Sequence, residues 1–272
     1  MSRNKITALT ALKALKRQEQ QNVQEKKMTY YDEDFQSYIV AKTQNFVKNL
    51  RINLRENLTI SKMAGLSFVC SPDGQHTSIA DLGGGAGIDF FIAREIFDNN
   101  LDWDCIETDT MCDVASRENF HSNLKFMSIE SFLKKKNTGG FSLYCNSSLQ
   151  YIPHAIETLN QILLKRPLKV AIVRTPFVLK GENVKQIQIS KLSKNGPQMG
   201  SSTSSQHNVQ NSVNIAKLDE LRAILDKNGY EILCENAQDG SFTQRNRFLV
   251  SGKSLIKTVD ILAIRVEKPI TN

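Results

Sequence analysis

The stretch Thr77-Ser78-Ile79-Ala80-Asp81-Leu82-Gly83-Gly84-Gly85-Ala86-Gly87-Ile88 decides the fold. Its first six residues make a short run that ends beside an acid, as a buried strand does where it meets a turn. Gly83, Gly84, Gly85 and Gly87 follow, and glycine permits positive φ and lets a ligand approach backbone N–H groups without interference from Cβ. From Ile88 to Asn99, Phe90, Phe91, Ile92 and Ile96 form the apolar face of a helix. Leu101-Asp102-Trp103-Asp104-Cys105-Ile106-Glu107 is then a second strand, which completes a strand–helix–strand unit.

The same rhythm continues downstream. Strands are predicted over 124–127, 141–145, 168–173, 231–234 and 260–266, with helices over 128–135, 156–164 and 216–228. Alternating strands and helices imply a parallel sheet covered on both faces. The last two strands are separated by a Gly/Ser/Thr/Gln-containing connection and no helix, so an antiparallel hairpin at the sheet edge is expected there. Upstream, Phe35, Ile39, Val40, Phe46, Val47, Leu50, Ile52 and Leu54 recur at helical spacing, which predicts a helical cap. The fold class is therefore α/β, a mostly parallel Rossmann-like sheet with an N-terminal helical cap. The chain divides into a basic tail or helix at 1–29, the cap at 30–70 and a main domain at 71–272. A polar insertion at about 180–214 is read as either a lid or a disordered loop.

A chain of 272 residues is long enough for one sizeable core with additions. The formal net charge of +7 favours approach to an anionic partner without choosing one. Much of the excess lies in residues 1–27, where Arg3, Lys5, Lys13, Lys16, Arg17, Lys26 and Lys27 face only Glu19 and Glu25. No apolar run is long enough to span a membrane and no secretory signal is evident, so a soluble, cytoplasmic protein is expected. The five cysteines lack CxxC spacing, which argues against a structural zinc or a disulfide framework, and no ligand cluster suggests a metal.

Asp81, at the strand end, can fix the turn or contact a charged amino group. Glu107 stands twenty residues after Gly87 at the end of the next strand, where a carboxylate can accept two hydrogen bonds from a ribose diol. Gly83-x-Gly85-x-x-Ile88 lacks the third glycine of the dinucleotide fingerprint. The spacing Gly83-x-Gly85-x-Gly87 favours S-adenosylmethionine over NAD.

With these features the region 77–266 resembles the class I S-adenosylmethionine-dependent methyltransferases. It also resembles a bacterial group of methyltransferases found with polysaccharide-biosynthesis genes. That narrower resemblance rests on Ala80-Asp81-Leu82-Gly83-Gly84-Gly85-Ala86-Gly87, Asn146-Ser147-Ser148-Leu149-Gln150-Tyr151-Ile152 and Val173-Arg174-Thr175-Pro176-Phe177. The resemblance implies S-adenosylmethionine as cofactor, Ser128 or Glu130 near the adenine, and Asn146 and Ser147 beside the methyl donor. It further implies O-methylation of a sugar or a glycan intermediate. Among candidate catalytic residues, Tyr151 can stack or hydrogen-bond, and His154 can serve as a general base. Arg174 can bind a phosphate or carboxylate, and Thr175 can bond a substrate hydroxyl. His207, in the insertion, is a further candidate base.

Three rival readings stay open. An NAD-dependent sugar-modifying oxidoreductase would need a Tyr-x-x-x-Lys pair, yet Tyr151 is followed four residues later by Ala155. An RNA methyltransferase fits the basic charge, but Asn146-Ser147-Ser148-Leu149 stands where many base-amino enzymes carry Asn/Asp-Pro-Pro-Tyr/Phe, so nucleic acid is not the expected partner. The third is a non-catalytic methyltransferase-like binding protein. The expected partner is a small molecule or glycan intermediate, and the oligomeric state is left open.

Overall fold

Strand β1 (Thr77–Leu82) lies inside a seven-stranded sheet of order β3-β2-β1-β4-β5-β9-β8. The computed structural model describes residues 28–70, 77–97, 100–136, 140–197, 207–238 and 254–266. Residues 1–27, most of the expected basic tail or helix at 1–29, and residues 239–253, the greater part of the last connection, lie outside the described residues. Strands β2 (Leu101–Glu107), β3 (Leu124–Ser128), β4 (Ser142–Asn146) and the first half of β5 (Lys169–Lys180) run parallel to β1 and its neighbours. Strands β8 (Tyr230–Gln238) and β9 (Leu255–Arg265) are antiparallel, with β9 inserted between β5 and β8. The mostly parallel sheet with an antiparallel C-terminal edge is the arrangement expected from the sequence.

Alternation along each strand builds two cores. On one face Ala80, Leu143, Val170 and Ile172 pack with Leu159 and Ile162 of α7 (Ala155–Leu163) and Leu221 and Leu225 of α8 (Leu218–Lys227). On the other, Ile79, Trp103, Cys105, Tyr144, Ala171 and Val173 meet Phe90 and Ile92 of α4 (Ile88–Phe97) and residues of the N-terminal helices. Remaining connections are α5 (Asp109–Ser116) and α6 (Ile129–Lys134), whose first turns are capped by the Thr108 and Ser128 hydroxyls.

Among the described residues three helices precede the sheet: α1 (Glu33–Lys48), α2 (Leu50–Asn57) and α3 (Ile60–Val69). Phe35, Ile39, Val40 and Phe46 of α1 are buried as the spacing predicts, but Ile52 is 78% exposed. Helix α3 is more than a cap. Leu66 and Val69 lie in the sheet's own core, and Gly65 lets the helix come close to Tyr144 and Val173.

The insertion at 180–214 contains neither a bare loop nor continuous disorder among its described residues. Strands β6 (Val184–Lys191) and β7 (Asn208–Ile215) pair antiparallel as a separate two-stranded sheet. Its alternation was hidden because it is inverted. Gln186, Gln188 and Ser190 are sheltered, while Ile187 and Ile189 are 55% and 58% exposed. Among the described residues no helix is long and apolar enough to cross a membrane.

A Cβ on Gly65 would stand 2.9 Å from Val173 Cγ1 and 3.0 Å from Tyr144 Cε2, so branching there forces α3 off the sheet. Gly65→Val is predicted to cost about 1–3 kcal/mol, the range for overpacking. Chemical denaturation reads it, and an unchanged midpoint would refute this packing argument.

Candidate active site

The glycine turn is held from three sides. Gly83 donates its N–H to Ile106 O at 2.9 Å, which ties the turn to β2. From the turn just after β4, the other neighbouring strand, Ser148 Oγ donates to Leu82 O at 2.6 Å. A Cβ at Gly83, whose φ is +74°, would fall 2.4 Å from Ser148 Cβ, so this close approach excludes any side chain. Gly85, with φ +59°, has nothing within 4 Å of the Cβ it lacks, and therefore faces open space.

Glu107 reaches this open side. Its Oε1 accepts the Gly85 N–H at 2.8 Å and its Oε2 accepts the Thr108 N–H at 3.0 Å. Burial pushes its carboxyl above the ordinary range, against the pull of those two amides. Each oxygen keeps a second lone pair for a diol. Ser128 is the register partner of Glu107 on β3, so it lies beside the same space, although its hydroxyl also caps α6. Glu130, its rival, pairs with Lys134 on the exposed face of α6.

Asp81 lies beneath the glycine turn. It is 1% exposed, accepts the Trp103 indole N–H at 3.0 Å and packs directly under Gly84. Burial, and then the nearby Asp89 charge, hold its carboxyl well above the ordinary value. It supports the turn from below.

A buried polar cluster that the sequence reading missed lies at the carboxyl ends of β4 and β5. Asp89, in the first turn of α4, accepts Lys62 Nζ of α3 at 2.7 Å, and both side chains are buried. Its other oxygen accepts Asn146 Nδ2 at 2.7 Å. Burial works to raise the Asp89 carboxyl, but Lys62 and the bond from Asn146 outweigh it and hold the group below its ordinary value. The available signal was an acid two residues past the glycines; Lys62 stands 27 positions before Asp89, and no local spacing joins them.

Ser147 has φ +57° and donates its N–H to Val173 O at 3.0 Å, which bends the chain away from β4. Arg174 reaches Asn146 Oδ1 with Nη1 at 3.4 Å, so the structure brings Asn146 and Arg174 together. Thr175 is not brought to the cleft. It is 1% exposed and its hydroxyl is spent on Val173 O at 3.2 Å, which removes the expected substrate contact.

Tyr151 sits in the 3-10 turn after β4 and donates its hydroxyl to Gln188 Oε1 of the hairpin at 2.8 Å. Its ring meets that of Tyr30 edge-on at 4.9 Å between centroids. Tyr30 in turn donates its backbone N–H to Asn211 Oδ1 at 2.9 Å, so the chain entering α1 is strapped to β7. His154, exposed and at φ +50°, forms the N-cap position of α7. Both Tyr151 and His154 line a cavity of about 850 Å³ with Asn160, Asn211, Asn214 and Glu220. His207 lies beside the start of β7 and does not line this cavity.

Cys105 and Cys145 are buried free thiols, and burial pushes Cys145 up to about 12, so it behaves as an inert core residue. Among the described residues no group of His, Cys, Asp and Glu is arranged to hold a metal ion.

No protein-family model and no curated protein matches this chain. Solved structures do resemble it in architecture. Magnesium protoporphyrin IX methyltransferase from Synechocystis PCC 6803 with bound SAM aligns at TM-score 0.45 and 14% identity, over 82% of this chain and 85% of that one. A glycopeptide N-methyltransferase complexed with S-adenosylmethionine aligns at TM-score 0.46 and 9% identity, over 76% and 86%. Geranyl diphosphate methyltransferase with sinefungin aligns at 0.47 and 14%, over 75% and 76%. The chain itself has a mostly parallel seven-stranded α/β sheet with an antiparallel edge formed by β9 and β8.

Two substitutions test the electrostatics. Lys62→Met leaves the Asp89 charge buried without its cation and is predicted to cost about 3–5 kcal/mol at neutral pH. A depressed carboxyl contributes stability above its unfolded value and loses it as the pH falls through the folded value, so the deficit should shrink in acid. Asp81 has the opposite sign. Its raised carboxyl makes the wild type lose stability as pH rises above about 4. Asp81→Asn, which keeps an acceptor for Trp103, should therefore gain on the wild type with rising pH. Denaturation across a pH series reads both, and parallel profiles would contradict the assignments.

Proposed function

We propose that this chain is an S-adenosylmethionine-dependent methyltransferase. The observation that carries the reading is the open Gly85 position, whose N–H is already held by Glu107 from the neighbouring strand end. A nucleoside placed there has the Glu107 carboxylate for its ribose, with Ser128 beside the base. Gly83, Gly84 and Gly87 shape the turn, Asp81 supports it, and Asn146 and Ser147 border the methyl-transfer space.

The cofactor supplies an activated methyl group on a positively charged sulfur. The protein's task is then largely alignment, because holding two reactants in line replaces an entropic barrier. Asn146 orients one side of the cleft through its bonds to Asp89 and Arg174. Tyr30, whose ring lies against Tyr151, is close enough to Glu107 to feel its charge.

For the acceptor we propose a sugar or glycan-biosynthesis intermediate, methylated on oxygen. The polysaccharide association comes from the sequence resemblance. In support, the cavity beyond Tyr151 presents an aromatic ring, amides and a carboxylate, groups suited to hydroxyl-rich ligands. His154, on that cavity, is the proposed general base.

Gly85→Val is predicted to abolish binding of S-adenosylhomocysteine sterically, since its side chain enters the space the nucleoside needs. Glu107→Ala should weaken binding about tenfold or more through loss of a charged hydrogen-bond acceptor. Calorimetry on folded variants reads both. Wild-type affinity in both would overturn the site assignment.

A further inference from the structure

The end of β5 carries a feature that methyl transfer as described does not use. Up to Val173 the strand alternates regularly, with Val170 and Ile172 in one core and Ala171 and Val173 in the other. The pairing with β9 then slips between Ile172 and Thr175, and beyond the slip Phe177 falls in the core that held the even-numbered residues. Such a bulge re-aims a side chain. Regular alternation would place Arg174 with Ile172, yet its guanidinium lies against Asn146, on the side of Asp89.

Arg174 adopts φ +54°, a left-handed backbone that a long L side chain rarely takes. Asp260 of β9 holds it there, accepting the Arg174 N–H on Oδ1 at 2.7 Å. The other Asp260 oxygen accepts Ser61 Oγ of α3 at 2.6 Å. Two elements thus stabilise one strained residue.

The two cations in this cluster are used differently. Lys62 is bonded directly to Asp89, whereas the Arg174 guanidinium feels the Asp89 charge from farther off, makes no salt bridge among the described residues and bonds an amide oxygen. Neighbouring strands lie about 4.8 Å apart, which puts β5 roughly 14 Å from the Glu107 strand. A nucleoside on Glu107 therefore extends toward β4, and its far end or a second ligand meets Arg174.

From this geometry we infer that Arg174 is an anion-recognition residue, turned into the cleft by the β5 bulge and the Asp260 lock, and that it binds a carboxylate or phosphate bidentately. The inference rests on the cleft being the cofactor site proposed above. The anionic group belongs either to the cofactor's amino-acid end or to the acceptor, and these sources separate experimentally.

The test uses the full chain as wild type, Arg174→Gln and Arg174→Lys, with thermal unfolding to establish that each is folded. Calorimetry measures S-adenosylhomocysteine, 5′-methylthioadenosine, which lacks the amino-acid end, and millimolar inorganic phosphate added to protein with and without S-adenosylhomocysteine. The expected result is a loss of about tenfold or more for one anion in Arg174→Gln, with Arg174→Lys intermediate because it keeps charge without the fork. Loss for S-adenosylhomocysteine but not methylthioadenosine assigns the cofactor carboxylate. Loss for phosphate alone assigns the acceptor. Phosphate binding that needs Arg174 in a wild type deaf to S-adenosylhomocysteine would keep this inference and sink the cofactor reading. Unchanged affinities in folded Arg174→Gln, or a wild type that binds neither anion, would overturn the inference.

Discussion

The buried pair between Lys62 and Asp89 is the interaction on which the cleft depends. It joins α3, which precedes the sheet, to the first turn of α4, which follows the glycine turn, and through Asn146 it reaches the end of β4. Burying two charges is costly, and their attraction offsets that cost only when geometry is good and remaining valences are filled. Here the second Asp89 oxygen is filled by Asn146, whose own oxygen meets Arg174. Four elements are thereby fixed around one point, and the apolar packing of Gly65, Leu66 and Val69 brings α3 close enough to deliver Lys62.

That arrangement explains why much of the fold was legible in the sequence and part of the site was not. The glycine turn, the strand ending at Glu107 and the antiparallel edge follow from local chemistry and periodicity, which neighbouring residues carry. Lys62 and Asp89 are separated by 27 positions, and neither spacing nor composition announces their contact. Thr175 illustrates the converse. It stands next to Arg174 in sequence, but the bulge sends Arg174 to the cleft and buries Thr175. The strand pairing within the insertion went unseen for a third reason, since β6 shelters glutamines and exposes isoleucines.

The hairpin formed by the insertion gives the site its second wall. Gln188 holds the Tyr151 hydroxyl and Asn211 holds the backbone of Tyr30, so two aromatic rings contributed by distant parts of the chain meet edge-on. The same parts border the cavity that contains His154. A fold shared by many activities leaves the choice of ligand to such additions, and here β6 turns glutamines inward while β7 buries Val209, Asn211, Val213 and Ile215.

The central claim concerns the kind of nucleoside the glycine turn accepts. Parallel calorimetric titration of the wild-type chain with S-adenosylmethionine, S-adenosylhomocysteine and NADH tests it most directly. The account predicts saturable binding of the first two and none of NADH. Binding of NADH alone would contradict it and assign the turn to a dehydrogenase.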